Sequence, residues 1–323
     1  MSRLQATKNK LLVILGPTSS GKTHLAVHLA AEFNGEIISA DSRQVYRGMD
    51  VGTGKDLKEY KVKSRKAKGK SLDIPYHLID VADPKEFFDL ARFKKLAEQA
   101  IEDILERGKL PILAGGTGLY LQAVVDDYKL SNIAADESLR KKLEKKTAPE
   151  LYQELAAINK KFAEKLNNSD RHNKRRLIRY LEIQKQGGVR AERGAGKFDC
   201  LIIGLERSKK ELGEKIEARL RQRLENEDLI GEVRRLHRAG VSWQRLESFG
   251  LEYRFVSRFL LKKIGYDEMF EQLNRAIRRF ANRQLTWFRR WERQGKTIHW
   301  LKDGKQAETI LKKFIKLTSA PKA

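Results

Sequence analysis

The chain carries a single cysteine, Cys200, in 323 residues. That excludes a disulfide framework and any thiolate zinc site, and nothing in cysteine usage marks a secreted protein. Long apolar runs are also missing, since no stretch approaches the ~18 residues of a membrane-spanning helix. The first ten residues, MSRLQATKNK, lack the apolar core of a signal peptide, so the expected location is cytoplasmic, with no membrane association. No internal repeat, heptad or exposed apolar stripe is found, and a monomer is the expected state. Acidic residues are in short supply: 43 Asp and Glu against 67 Lys and Arg leave a net charge of +24. Solubility needs far less than this, and a polyanionic partner is implied. An anionic membrane surface would answer such an excess, but nucleic acid is the more usual partner, because each Lys or Arg on a phosphate releases condensed counterions.

What is present is a chain able to bury a full core, with 40% apolar residues. Leu11 to Leu15 is an all-apolar run, a glycine-bearing loop follows it, and from His24 the apolar residues take helical spacing. Glu36 to Ala40 runs into Asp41, and Leu110 to Ala114 opens into Gly115, Gly116, Thr117 and Gly118. Phe93 to Leu105 reads as an amphipathic helix between them. Alternating strands and helices predict an α/β fold, a P-loop NTPase-like parallel sheet covered by helices on both faces. In such sheets ligands sit beyond the carboxyl ends of the strands, where all three loops fall. The lysine-rich stretch from Tyr60 to Leu72 has no apolar periodicity and is expected as a loop or short ribbon. Residues 131–196 are charged and helical in pattern and end in QGGVRAERGAG, so an inserted all-helical domain is expected there, with a core of 1–130 and 197–323. Cys200 to Leu205 reads as a returning strand, and Lys209 to Arg238 and Asp267 to Arg293 as long helices.

Gly16, Pro17, Thr18, Ser19, Ser20, Gly21, Lys22 and Thr23 fit G-x-x-x-x-G-K-[ST] between a predicted strand and a predicted helix, the context this motif requires. Successive backbone N–H groups would curl around phosphate oxygens, with the helix N-terminus behind them. Lys22 supplies a point charge, and the Thr23 hydroxyl is a ligand for Mg²⁺. The loop specifies phosphates and leaves the reaction open, since kinases, NTPases and enzymes with a diphosphate leaving group can all use it.

Six blocks then carry a resemblance over nearly the whole chain: GPTSSGKT at 16–23, ADSRQVYRGMDVGTGK at 40–55, PYHLIDVADP at 75–84, AGGTGLYLQA at 114–123, RRLIRYLEI at 175–183 and RQLTWFR at 283–289. Together, in this order, they resemble the tRNA dimethylallyltransferase (tRNA isopentenyltransferase) family. The resemblance implies transfer of a dimethylallyl group from dimethylallyl diphosphate to the N6 amine of the adenosine 3′-adjacent to the anticodon, with release of diphosphate. The phosphate loop would be the diphosphate cradle. Asp41 would be the general base on the amine, and a Walker-type carboxylate orienting water on Mg²⁺ is the other reading of that position. Thr117 would hydrogen-bond the leaving oxygen, or else serve as a helix N-cap.

The target base must leave its stack to reach a buried allylic carbon. By the resemblance Asp41, Ser42, Arg43 and Gln44 would contact it or its neighbours, Gln44 pairing with an adenine edge. Arg140, Arg175, Arg176 and Arg179, and on the last long helix Arg278, Arg279, Arg283 and Gln284, match positions that touch the anticodon stem-loop. Without the resemblance each cluster would pass for a solvated helix face. The chain departs from the family pattern at Arg43, at His172 and Asn173, and at Glu252, where a glycine is expected. Two other readings are an adenylate isopentenyltransferase, which the charge opposes, and an RNA-binding P-loop NTPase.

Overall fold

The computed structural model describes residues 9–63, 71–130, 133, 136–187 and 192–316. The chain forms two compact units, one of Met1–Val125 with Gly196–Ala323 and one of Asp126–Ala195. In the first unit β1 (Lys10–Leu15) leads into α1 (Lys22–Phe33) and β2 (Gly35–Ser39). A ribbon of β3 (Lys61–Lys63) and β4 (Ser71–Asp73) follows, antiparallel with Val62 opposite Leu72. It flanks the lysine-rich segment, whose residues 64–70 lie outside those described. Next come β5 (Tyr76–His77), α2 (Leu90–Glu106), β6 (Leu110–Gly115) and α3 (Gly118–Val125).

The second unit holds α4 (Glu137–Leu143), α5 (Ala148–Ile158), α6 (Lys160–Glu164), α7 (Asn168–Arg171) and α8 (Lys174–Lys185). Its own core is built from Leu143, Leu151, Leu155, Leu177 and Leu181. A capping box starts α5: Thr147 takes the Glu150 N–H while the Glu150 carboxylate takes the Thr147 N–H. Part of the glycine-rich segment after α8, residues 188–191, lies outside the described residues.

The chain then returns through β7 (Asp199–Leu205), α9 (Lys209–Glu225), α10 (Leu229–Arg238), α11 (Trp243–Phe249), α12 (Leu251–Leu260), α13 (Tyr266–Arg293), β8 (His299–Leu301) and α14 (Ala307–Lys316). The single helix expected over Lys209 to Arg238 is two. Asp228 sits at φ 57 and caps α10 through the Gly231 N–H, 3.0 Å away. A residue that both turns left-handed and caps starts a new helix.

The six-stranded sheet has the order β5-β2-β6-β1-β7-β8, and every adjacent pair is parallel. Parallel strands buried on both faces need continuous apolar runs, and KLLVIL in β1 is that kind of sequence. Leu11, Val13 and Leu15 pack on one face with Phe93, Ala97 and Ile101 of α2. Leu12 and Ile14 pack on the other with Leu25 and Leu29 of α1. α2 is spaced for this: its buried Phe93, Ala97, Ile101 and Ile104 recur every three or four residues, and Asp89 caps the Arg92 N–H at 2.8 Å. Among the described residues no helix is long and apolar enough to cross a membrane.

Candidate active site

Strand order brings the three glycine-bearing or acidic loops together. β2, β6 and β1 are neighbours in the sheet, with Ser39 opposite Ala114 and Leu15 opposite Gly115, so the three strands end at one level. Asp41, the Gly115–Gly118 turn and the phosphate loop leave from that edge into a cavity of about 310 Å³. Thr18, Ser19, Lys22, Thr23, Asp41, Ser42, Arg43, Gln44, Thr117, Arg283 and Gln284 all line it.

The phosphate loop has the backbone its function needs. Ser19 at φ 61 and Gly21 at φ 93 are left-handed, and a side chain is strained in that region. The Lys22 ammonium donates to the Pro17 carbonyl at 2.7 Å. Burial pushes it down to about 8, while Asp41 raises it and Arg219 lowers it. The Ser20 hydroxyl is buried with no hydrogen-bond partner among the described residues.

One Asp41 oxygen accepts the Arg43 N–H at 2.8 Å. Thr117 stands where α3 begins, but its hydroxyl takes the Ser42 N–H, 3.1 Å away, and its own N–H donates to the Ala40 carbonyl at 3.2 Å. The hydroxyl therefore ties the Asp41 loop to the glycine turn and keeps its own proton to donate. The turn needs glycine at 115, because a Cβ there would run into the Ala40 carbonyl.

Gln284, from α13, is only 8% exposed. Its carbonyl oxygen accepts the Thr18 N–H at 2.9 Å, and its amide donates to the Gly116 carbonyl at 2.8 Å. It joins phosphate loop to glycine turn, and both ends of its amide are used inside the protein. Gln44 is similarly engaged: Ser39 donates to its oxygen at 2.9 Å and its amide reaches the Gly54 carbonyl at 3.4 Å. An adenine edge would have to displace these bonds. Burial lowers the Arg43 guanidinium, with Asp41 nearby raising it.

Several contributors have no motif. Arg219 and Arg223, one turn apart on α9, reach the cavity, and Arg223 is only 7% exposed. Glu252, at the start of α12, lines it too and meets Arg223 at 3.4 Å. Behind them the buried Glu232 accepts the N–H groups of Asp50, Val51 and Gly52 at 2.8, 2.6 and 3.0 Å, and the Tyr253 hydroxyl at 2.8 Å. That carboxylate fixes the loop whose Gly52, Thr53 and Gly54 form the cavity wall. The only local signal for Arg219 and Arg223 is their helical spacing in RLRQR, which a solvated face would share.

The arginines of the second unit are mostly paired within it. Arg140 grips the buried Glu182 at 2.6 and 3.0 Å, Arg179 meets the same carboxylate at 3.2 Å, and Arg176 meets Asp170 at 2.6 Å. Arg175 is exposed with no carboxylate partner among the described residues. On α13, Arg278 pairs with Glu217 at 3.1 Å, whereas Arg279 and Arg283 are exposed and unpaired among the described residues. The Arg283 guanidinium lies 5.8 Å from the Phe280 ring, and both residues line the cavity. Among the described residues no three His, Cys, Asp or Glu side chains gather to hold a metal. A cation here would depend on Thr23 and on ligand oxygens, which suits Mg²⁺, an ion commonly held by one or two protein groups plus substrate phosphates.

A parallel sheet with a phosphate loop at its carboxyl edge, facing an aspartate and a threonine across a cavity, defines a P-loop protein built around a phosphorylated substrate. The IPP transferase family model matches residues 44–291, and that of isopentenyl transferase matches residues 9–67. The chain is 44% identical over 306 residues to tRNA dimethylallyltransferase 1 of Geotalea uraniireducens, covering 94% of this chain and 97% of that one. It is 45% identical over 294 residues to tRNA dimethylallyltransferase 1 of Syntrophus aciditrophicus, covering 90% and 93%. The crystal structure of the tRNA isopentenylpyrophosphate transferase from Bacillus halodurans is similar over 96% of both chains, with 37% identity and a TM-score of 0.65. A eukaryotic dimethylallyltransferase shares the fold at TM-score 0.73 and 24% identity, over 97% of this chain and 81% of that one. The chain belongs to the tRNA dimethylallyltransferase (IPP transferase) family of transferases.

Proposed function

We propose that this enzyme moves a dimethylallyl group from dimethylallyl diphosphate to the N6 amine of the adenosine 3′-adjacent to the anticodon in tRNA. The observation that carries the reading is the single cavity in which the phosphate loop, Asp41 and Thr117 meet. The nitrogen attacks the primary allylic carbon, the new C–N bond forms as the C–O bond breaks, and diphosphate leaves with the bonding electrons. Asp41 takes the amine proton through the carboxylate oxygen that Arg43 does not hold. Thr117 donates its proton to the leaving oxygen. The loop amides, Lys22, Arg219 and Arg223 take the diphosphate charge.

Thr23 and the diphosphate oxygens would hold Mg²⁺, which when bound neutralises part of the leaving group's charge. Arg43 and Arg283 flank the route of the flipped base, and Phe280 offers it an aromatic face. The net charge of +24 supports a tRNA anticodon arm as the partner of a cytoplasmic monomer.

Purified protein incubated with labelled dimethylallyl diphosphate and tRNA should transfer label to tRNA. Transfer to free adenylate in its place would identify a nucleotide-modifying enzyme. Nucleoside triphosphate hydrolysis without transfer would identify an RNA-dependent NTPase.

A further inference from the structure

The cavity contains a charge that a diphosphate site does not need. Its lining holds Lys22, Arg43, Arg219, Arg223 and Arg283, and against them only Asp41 and Glu252. Asp41 has a use in the proposed chemistry, but Glu252 has none. Its Oε1 lies 3.4 Å from Nη1 of Arg223, at the outer limit of a hydrogen bond. Arg223 cannot easily retreat, because its guanidinium is pressed against the Gly54 backbone and a Cβ on Gly54 would collide with it. Beside it stands Arg219, whose guanidinium Nη2 donates to the Gly54 carbonyl at 3.4 Å. Two arginines crowded in a largely buried wall need a counter-charge, and Glu252 is the carboxylate that pairs with Arg223 from the cavity lining, while Glu227 acts on Arg223 and Glu59 on Arg219 without lining it.

A bound diphosphate needs the same guanidinium. We propose that Glu252 competes with the diphosphate for Arg223, so that it sets both the affinity of this site for diphosphates and the dependence of that affinity on pH. The proposal rests on the cavity being the diphosphate site. When phosphate oxygens take over Arg223, Glu252 loses its partner and faces added negative charge. The groups around it are Arg219 and Arg223 on α9, Asp41 beyond β2 and Tyr253 beside it on α12, with Glu227 acting on Arg223 and Glu59 on Arg219, so Arg219, itself needed by the diphosphate, is the one other cation among them. Burial already raises the Glu252 carboxyl above the ordinary carboxylate range, against the lowering pull of Arg223 and Arg219. Diphosphate docking raises it further, so the complex binds protons that the free enzyme does not. Affinity must then increase as pH falls. The same competition speeds the departure of product diphosphate, making Glu252 a positioning residue that acts through Arg223.

Calorimetric titration of the full chain with inorganic diphosphate and Mg²⁺, from about pH 6 to about pH 8.5, tests this with wild type, Glu252→Gln and Glu252→Ala. Protonation of the ligand itself is common to all three and divides out. Glu252→Gln should bind roughly tenfold more tightly than wild type near pH 8, with the advantage shrinking toward pH 6. Glu252→Ala should change in the same sense. Equal or weaker binding by both variants at every pH would overturn the proposal, since Glu252 would then only be holding Arg223 in position. Lys22→Ala separates the two readings. If wild type binds diphosphate through Lys22 but the Glu252 variants gain nothing, only the Glu252 proposal fails. If wild type binds no diphosphate, both fail.

Discussion

Asp41 holds its loop through one carboxylate oxygen, on the Arg43 N–H at 2.8 Å, and that division of labour makes the residue testable. Asp41→Asn keeps an acceptor for Arg43 and most of the shape but cannot accept a proton. It should lower kcat by roughly 10²- to 10⁴-fold, the usual contribution of a general base. Affinity for tRNA should move by less than about threefold, because phosphate contacts dominate it. Single-turnover transfer and a tRNA filter-binding assay check the two halves. Near-normal turnover with lost Mg²⁺ dependence would make Asp41 a metal-site carboxylate instead. Lys22 makes a pH prediction. Its ammonium, lowered to about 8 by burial, is charged below that value and neutral above it. Only the charged form attracts a diphosphate, so affinity for dimethylallyl diphosphate should decline as pH rises through about 8. Lys22→Ala should bind weakly with this decline abolished, and Lys22→Arg should move it to higher pH.

At the scale of elements, the site depends on α13 clasping two loops that belong to different strands. Gln284 satisfies the Thr18 N–H and the Gly116 carbonyl at once, at 2.9 and 2.8 Å. Gln284→Leu preserves the volume but leaves both backbone groups unpaired in a buried place. Each orphaned group costs about 1–3 kcal/mol. Urea denaturation should show a loss in that range or somewhat above it, and KM for dimethylallyl diphosphate should rise as the phosphate loop loosens. A variant with wild-type stability and KM would mean that water replaces the glutamine amide. The break in the α9–α10 segment matters at this scale too. By turning at Asp228 the chain lays α10 beside the Asp50–Gly52 loop, where Glu232 takes three backbone N–H groups. A continuous helix could not point that carboxylate back at the cavity wall.

For the whole molecule, the excess of 24 positive charges matters chiefly through salt. If five or six tRNA phosphates are contacted, the plot of log Kd against log salt should have a slope of magnitude about 4 or more, at about 0.7–0.9 per phosphate. The structure narrows which arginines can contribute. Arg175, Arg279 and Arg283 have no carboxylate partner among the described residues, and each change to Ala should reduce the slope by about 1. Arg140 and Arg179 already neutralise the buried Glu182, and Arg176 pairs with Asp170. Removing Arg140 takes two hydrogen bonds from the buried Glu182 and leaves Arg179, at 3.2 Å, as its cation among the described residues, so the variant should lose stability in the second unit more than slope. Equal slope losses at all six positions would show that tRNA breaks those pairs.

The chemistry-bearing pieces were legible along the chain because each is local. A G-x-x-x-x-G-K-T loop between an apolar run and a helix, an aspartate after a second run and a GGTG turn after a third depend on neighbours a few residues away. The all-apolar runs also announced parallel strands buried on both faces. Sequence could not state that β6 lies between β1 and β2, since that order follows from pairing residues 75 to 100 positions apart, as in Gly35 with Leu110 and Leu12 with Ile112, and that order brings Asp41, Thr117 and Lys22 into one cavity. Gln284 and Gln44 read from sequence as groups for RNA because an amide's free valences are invisible there. Tertiary contacts engaged both amides inside the protein. Arg219, Arg223 and Glu252 were invisible as a site for the same reason. A charge on a helix looks solvated until another element buries it, and only burial turns a surface charge into a cradle or a competitor for one.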